Sequence, residues 1–414
     1  MVGARGVVAG LVEERWQVGT ARSAHPFYNG LAPPRPALAG QRAVPHHHSR
    51  TSLPMSSAAE LERALHYPLA DRLPPRGGAI EVAPGVLWLR MSLPYALDHI
   101  NLWLLRDHLD GRDGWSVVDC CIDRAESRAD WEQVFASQLQ GLPILRVIVT
   151  HMHPDHIGLA HWLCERWSTP THECRLWISA TDYQAGLYNS AVVDDVRAER
   201  SAQFFASHGL RDPDELEKIR QRKSYYSSHV PAVPPTFRRL MDGNVLRIGA
   251  HEWRCIVGYG HAPEHMALYC AALGLLISGD MMLPRISTNV SVYEGEPEAD
   301  PLTLFLDSID RFEALPADTL VLPAHGKPFV GLHTRIAQLH EHHRARLADV
   351  LVAARERPVT AHELLPVLFH RALDLHQTTF AMGEAVAHLH RLWYAGELRR
   401  TRDAQGVWRF ALAT

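Results

Sequence analysis

The chain has 414 residues, of which 46% are hydrophobic and 21% charged, and a formal net charge of −4. This is an ordinary globular balance, long enough for two domains or for one large domain with an appendage. It gives no general electrostatic case for nucleic acid or acidic membranes, and no stretch is apolar for long enough to span a bilayer.

Residues 1–54 are rich in Gly, Ala, Arg, Pro and His and lack apolar periodicity. They read as a disordered segment, as a transit-like peptide, or as a non-native extension ahead of a true start at Met55. From about residue 79 the pattern changes. Residues 80–82, 86–90, 101–105 and 115–119 read as short strands of an antiparallel meander, the last ending in the acid Asp119. Residues 130–139 follow as an amphipathic helix, and 144–149 as a buried strand.

That strand runs into Thr150-His151-Met152-His153-Pro154-Asp155-His156. Alternation along an extended chain sends His151 and His153 to one side. Pro154 then turns the chain, so Asp155 and His156 can face the same pocket. Imidazoles and carboxylates are ordinary metal ligands. With 27 histidines, clusters can arise by accident, as in His46-His47-His48, but His-x-His-x-Asp-His on a strand end is far more specific.

Beyond it, 159–167 reads as a helix and 176–181 as a strand. Residues 182–240 form a mostly helical insertion carrying Tyr183, Tyr188, Phe204, Phe205, Tyr225 and Tyr226. An insertion that long is expected to cap a pocket rather than hang free. Strands resume at 245–248, 253–257, 266–270, 275–278 and 319–322. Three more candidate ligands, His261, Asp280 and His325, each follow a strand and each adjoin a glycine, which permits a tight turn. His99 and His265 lie near these motifs and read as structural or pocket-lining residues.

The six cysteines, with no CxxC pair, fit buried thiols in a reducing, cytoplasmic setting. At the C-terminus a helix is expected over 332–356, and a new unit opens where Thr360 and Glu363 match a capping box. A second helix spans about 381–395 and stops at Gly396, and a hairpin pairs 397–402 with 407–412.

In combination these motifs resemble the metallo-beta-lactamase superfamily of hydrolases: Asp119, then His151-x-His153-x-Asp155-His156, His261, Asp280 and His325. The resemblance covers roughly 80–330 and implies an α/β fold, an αβ/βα sandwich of two mixed sheets with helices outside. It divides the chain into a 55–331 catalytic domain, with 182–240 as its cap, and a 332–414 tail similar to a small winged helix. It also implies two divalent ions, zinc by default with iron or manganese as alternatives. One would be held by His151, His153 and His261, the other by Asp155, His156 and His325, with Asp280 bridging and Asp119 steadying a ligand. Asp119 can equally be a strand-end acid with no such role. Asp155 and Asp280 are the candidates for guiding protons.

The implied reaction is hydrolysis by a metal-bridging hydroxide, with no protein nucleophile. The expected substrate is a small thioester, ester or lactone. The alternative is a metal-dependent endoribonuclease using the tail, whose Arg391, Arg399, Arg400, Arg402 and Arg409 are locally basic, to bind RNA. No membrane partner is expected, and a homodimer is compatible with the sequence.

Overall fold

The structure, a computed structural model, describes residues 58–191, 195–222 and 225–413. The readings of residues 1–54, and of Met55 as a start, lie outside them. A short helix α1 (Ala58–Arg63) precedes the meander β1 (Ile80–Ala83), β2 (Val86–Ser92), β3 (His99–Leu109) and β4 (Arg112–Val118). Helix α2 (Ala125–Ser137) crosses back to β5 (Ile144–Ile148), which is followed by α3 (Pro154–Ile157), α4 (Ala160–Trp167) and β6 (Arg175–Ser179). Helices α5 (Ala180–Ala191), α6 (Asp195–Ser207), α7 (Pro213–Gln221) and α8 (Tyr225–His229) come next, then β7 (Phe237–Leu240). The helical insertion read over 182–240 therefore ends in a strand, which pairs in parallel with β6.

Strands β8 (Val245–Ile248), β9 (His251–Gly258), β10 (His265–Cys270) and β11 (Leu275–Gly279) lead to α9 (Pro301–Asp310), β12 (Leu320–Pro323) and β13 (Phe329–Val330). The tail holds α10 (Leu332–Glu356), α11 (Ala361–Leu368), α12 (Leu375–Tyr394) and the hairpin β14 (Leu398–Arg402) and β15 (Trp408–Leu412). Thr360 and Glu363 form the expected capping box. Helix α12 begins six residues before the sequence pattern suggested, behind a second box made by Asp374 and Gln377.

Among the described residues β1 to β7 form one sheet in sequence order, and β13-β12-β11-β10-β9-β8 form the other. Period-two alternation gives each sheet two apolar faces. Trp88, Trp103, Val118 and Ile148 of the first sheet meet Trp253, Val257, Leu268 and Ile277 of the second in the central layer. Leu89, Val147 and Val149 point the other way, onto α2 and α4. Ile256, Ala267 and Leu276 pack outward against α9, α10 and α12. The result is the helix–sheet–sheet–helix layering that the resemblance implied, with the tail built into the outer helical layer of the second sheet.

A charged pair crosses the central layer. Arg146 of β5 donates from Nε to Asp107 Oδ2 at 3.0 Å and to Ser116 Oγ at 2.8 Å, and from Nη2 to the Arg247 carbonyl at 2.6 Å. Asp107 also accepts from the Gly249 amide at 2.9 Å. Since β3, β4 and β5 belong to the first sheet and 247–249 to the second, the pair fastens one sheet to the other.

Candidate metal centre

The site forms where strands of both sheets end on one side. Strand β5 runs out at Ile148, and Thr150 to His156 form the turn into α3, with Pro154 at its first position, where a missing N–H costs nothing. His261, Asp280 and His325 follow β9, β11 and β12. Gly260, Gly279 and Gly326 beside them all have positive φ. At Gly279 the requirement is also spatial, because a Cβ there would lie 2.3 Å from His265 Nε2.

Two groups of side chains converge, each able to hold a metal ion: His151, His153, His261 and Asp280, and beside them Asp155, His156 and His325. In the first, His151 Nε2 lies 2.8 Å from His153 Nδ1 and 3.2 Å from His261 Nε2. In the second, His325 Nε2 lies 3.4 Å from Asp155 Oδ2. Asp280 faces both, with Oδ2 3.2 Å from His261 Nε2 and Oδ1 3.4 Å from His325 Nε2 and 3.6 Å from His156 Nε2. The structure thus brings together all seven of the residues singled out as ligands.

The far sides of the rings are already engaged. His156 Nδ1 meets Asp119 Oδ2 at 2.8 Å, His261 Nδ1 meets the Asn289 carbonyl at 2.8 Å, and His325 Nδ1 meets the His99 carbonyl at 2.7 Å. A proton on each Nδ1 leaves the Nε2 lone pair of that ring aimed inward. His156 Nε2 and Asp280 Oδ1 are buried with no hydrogen-bond partner. Convergent lone pairs and orphaned acceptors are what a cation satisfies, so the donor set fits a divalent metal.

Electrostatics agree. Burial, together with neighbouring imidazoles, holds His151 well below the ordinary histidine range and His153 at about 3. Burial would also lower His156, but the carboxylates of Asp119, Asp155 and Asp280 outweigh it and push this ring up to about 10. His325 is likewise raised against burial by Asp280 and Asp155. Asp155 falls to about 2, because the positive field of His156 and the hydrogen bond from His325 overcome its burial. The pocket therefore calls for positive charge beside its carboxylates.

Asp119 lies just past β4 with φ of +62°, a conformation that Asp tolerates better than most residues. Its Oδ1 accepts from the Thr150 amide at 2.8 Å while Oδ2 faces His156. His265 accepts from the Asp280 amide at 3.2 Å, and His99 Nε2 accepts from the Gly326 amide at 2.8 Å. Both therefore brace backbone, as structural residues do.

Sequence reasoning missed three groups of contacts. Thr150 Oγ1 sits 3.1 Å from both His151 Nδ1 and His156 Nδ1. Asn289 acts through its backbone carbonyl, which no side-chain pattern announces. The insertion reaches the ligand turn, because α8 packs on α3 and Asp182 of α5 accepts from the Met152 amide at 2.9 Å.

The family model of the metallo-beta-lactamase superfamily matches residues 96–325, and the chain belongs to that superfamily. It is a metallo-hydrolase. A model described as the metallo-beta-lactamase-like C-terminal domain matches residues 347–413. Among solved structures, a beta-lactamase domain protein from Burkholderia ambifaria is 56% identical, over 85% of this chain and 99% of that one, with a TM-score of 0.80. The probable metallo-hydrolase YqjP of Bacillus subtilis (strain 168) is 24% identical over 312 residues, 73% of this chain and 91% of the relative. A hydroxyacylglutathione hydrolase of Rhodobacter capsulatus is 28% identical over 135 residues, covering 33% of this chain and 49% of the relative.

Proposed function

We propose that the chain is a dinuclear metallo-hydrolase of small thioesters, with simple esters and lactones as neighbouring substrates. The observation that carries the two-ion reading is the Asp280 carboxylate, with one oxygen turned to each group of candidate ligands. His151, His153 and His261 would hold one ion, Asp155, His156 and His325 the other, and Asp280 would bridge. Zinc suits this set of imidazoles and carboxylates, with iron or manganese as alternatives. Such ions supply an activated water at neutral pH and polarise the scissile carbonyl. The chain's own residues fix the imidazoles by their far nitrogens, exclude bulk water through burial, and offer the Asp155 and Asp280 carboxylates for proton movement. The similarity to a hydroxyacylglutathione hydrolase supports the thioester class.

The tail supports a small substrate over RNA, because three of the arginines singled out there, Arg391, Arg400 and Arg409, are engaged within the fold. Arg400 pairs with Glu298 and lies over the rings of Trp393 and Trp408. Arg409 pairs with Asp403 at 3.0 Å, and Arg391 donates to Thr303 Oγ1 at 2.6 Å. We read 332–414 as a domain that packs on the 55–331 catalytic part. Among the described residues no helix is long and apolar enough to cross a membrane. All six cysteines are free and buried, which supports a reducing, cytoplasmic setting.

The test is thiol release from a panel of acyl-CoA and acyl-glutathione substrates by metal-replete protein. Rapid release that a chelator abolishes is the expected result. No release across the panel, with turnover of lactones or RNA instead, overturns the thioester reading. Asp119→Asn is expected to weaken metal binding about 10- to 100-fold, because an amide cannot both accept from the Thr150 amide and receive the His156 proton. Unchanged affinity in a metal titration would leave Asp119 as a strand-end acid only.

A further inference from the structure

Between the candidate ligands His151 and His153 stands Met152, whose side chain has no part in the chemistry. Both polar atoms of its backbone are held by the helical insertion. The Met152 N–H donates to Asp182 Oδ1 at 2.9 Å, and its carbonyl accepts from the Tyr226 hydroxyl. That amide belongs to the peptide joining residues 151 and 152, and that carbonyl to the peptide joining 152 and 153. Holding both planes restricts the directions in which the two imidazoles leave the chain.

Asp182 does more. Its Oδ2 accepts from the Glu264 amide at 2.6 Å, and Glu264 Oε2 accepts in return from the Thr181 amide at 3.2 Å. Glu264 stands three residues after His261, so one fully buried carboxylate ties the His151–His153 turn to the His261 turn. Burial pushes the Asp182 carboxyl up to about 6, and the hydrogen bonds from Met152, Glu264 and Ser179 offset that only in part. A separate observation marks the same contact. One turn along α5, a Cβ on Gly186 would lie 3.2 Å from Ile157 Cδ1, 3.4 Å from the Tyr226 hydroxyl and 3.8 Å from Met152 Cβ. The helix therefore approaches the ligand turn closely on the face that carries Asp182. The second group is braced elsewhere, by Asp119 and by the His99 carbonyl.

We infer that Asp182 and Tyr226 are positioning residues for the ion at His151, His153 and His261, so that the insertion is a structural part of that half of the metal centre as well as a wall above it. This rests on the dinuclear reading. Asp182→Ala frees two partly buried amides and both turns. Asp182→Asn keeps an acceptor for one amide only. Tyr226→Phe deletes a single hydroxyl and keeps the packing.

The test is cobalt titration of the full-length metal-free protein, followed by the visible absorption of each bound ion, with circular dichroism as a control on folding. Wild type should bind two ions. Asp182→Ala should bind one as wild type does and the other about 10- to 100-fold more weakly, with Asp182→Asn and Tyr226→Phe showing smaller losses at the same ion. If wild type binds two ions and Tyr226→Phe and Asp182→Asn, both folded, bind both as wild type does, the inference is overturned. Equal weakening of both ions in those folded variants overturns it as well. If wild type itself binds fewer than two, it is the dinuclear reading that fails.

Discussion

Asp280→Ala is expected to lose both ions and hydrolysis together. Among the described residues, Asp280 is the one side chain whose carboxylate faces both groups, 3.2 Å from His261 on one side and 3.4 Å from His325 on the other. Without it the first group keeps three imidazoles and no negative charge, and the second keeps a single carboxylate, Asp155. Two dications close together need that shared charge to offset their repulsion. Turnover should fall at least about a thousand-fold, equivalent to about 4 kcal/mol of barrier, while the protein stays folded. Metal content by elemental analysis, measured beside thiol release, checks this. Wild-type turnover in the variant would sink the two-ion reading, and so would retention of both ions.

Asp107→Ala should give the largest loss of stability from a residue remote from the metals. The Arg146–Asp107 pair has side chains only 2% and 0% exposed. Removing the carboxylate leaves a guanidinium sealed between the two sheets with the Ser116 hydroxyl, the Arg247 carbonyl and the Trp177 face as company. Breaking a buried pair from one side costs about 3–5 kcal/mol. The Gly249 amide also loses its acceptor. Replacing both charges, Asp107→Ala with Arg146→Met, should recover much of the loss, since no unpaired charge then remains. Denaturant midpoints of the two singles and the double measure the coupling. A loss below about 1 kcal/mol in Asp107→Ala would mean that water reaches the pair.

The centre was legible in the sequence because its densest part is local. His151, His153, Asp155 and His156 fall within one turn after a continuous apolar strand, and His261, Asp280 and His325 repeat the same strand-then-glycine context. The alternating apolar residues marked the strands, while their layering into two sheets was implied by the resemblance to the superfamily. Strand β7 escaped because Phe237-Arg238-Arg239-Leu240 is a polar edge strand that borrows its conformation from β6. Helix α9 went unread although Asp300-Pro301 is a sound start signal. Short helix α3 read only as a turn, because four residues carry no periodicity. Tyr226 was legible only as part of the cap, and Asp182 and Asn289 were given no role. Their partners are backbone atoms or distant loops, and a sequence does not say which amide a buried acid will meet.

The candidate ligands are dealt unevenly between the two sheets: four come from the turn after β5 and three from the ends of β9, β11 and β12. During synthesis the first four emerge long before His325, by roughly ten seconds at ordinary elongation rates. Until His261 emerges, the growing chain displays a dense His/Asp cluster with none of its partners from the second sheet. An ion caught then would draw on side chains meant for two separate places, and docking of the second sheet would have to redistribute them. Order of addition during refolding should therefore matter, with ions supplied after collapse loading the centre faster than ions present from the start. On this reading the metal would be a late guest, and its stable capture would report that the long-range half of folding is complete.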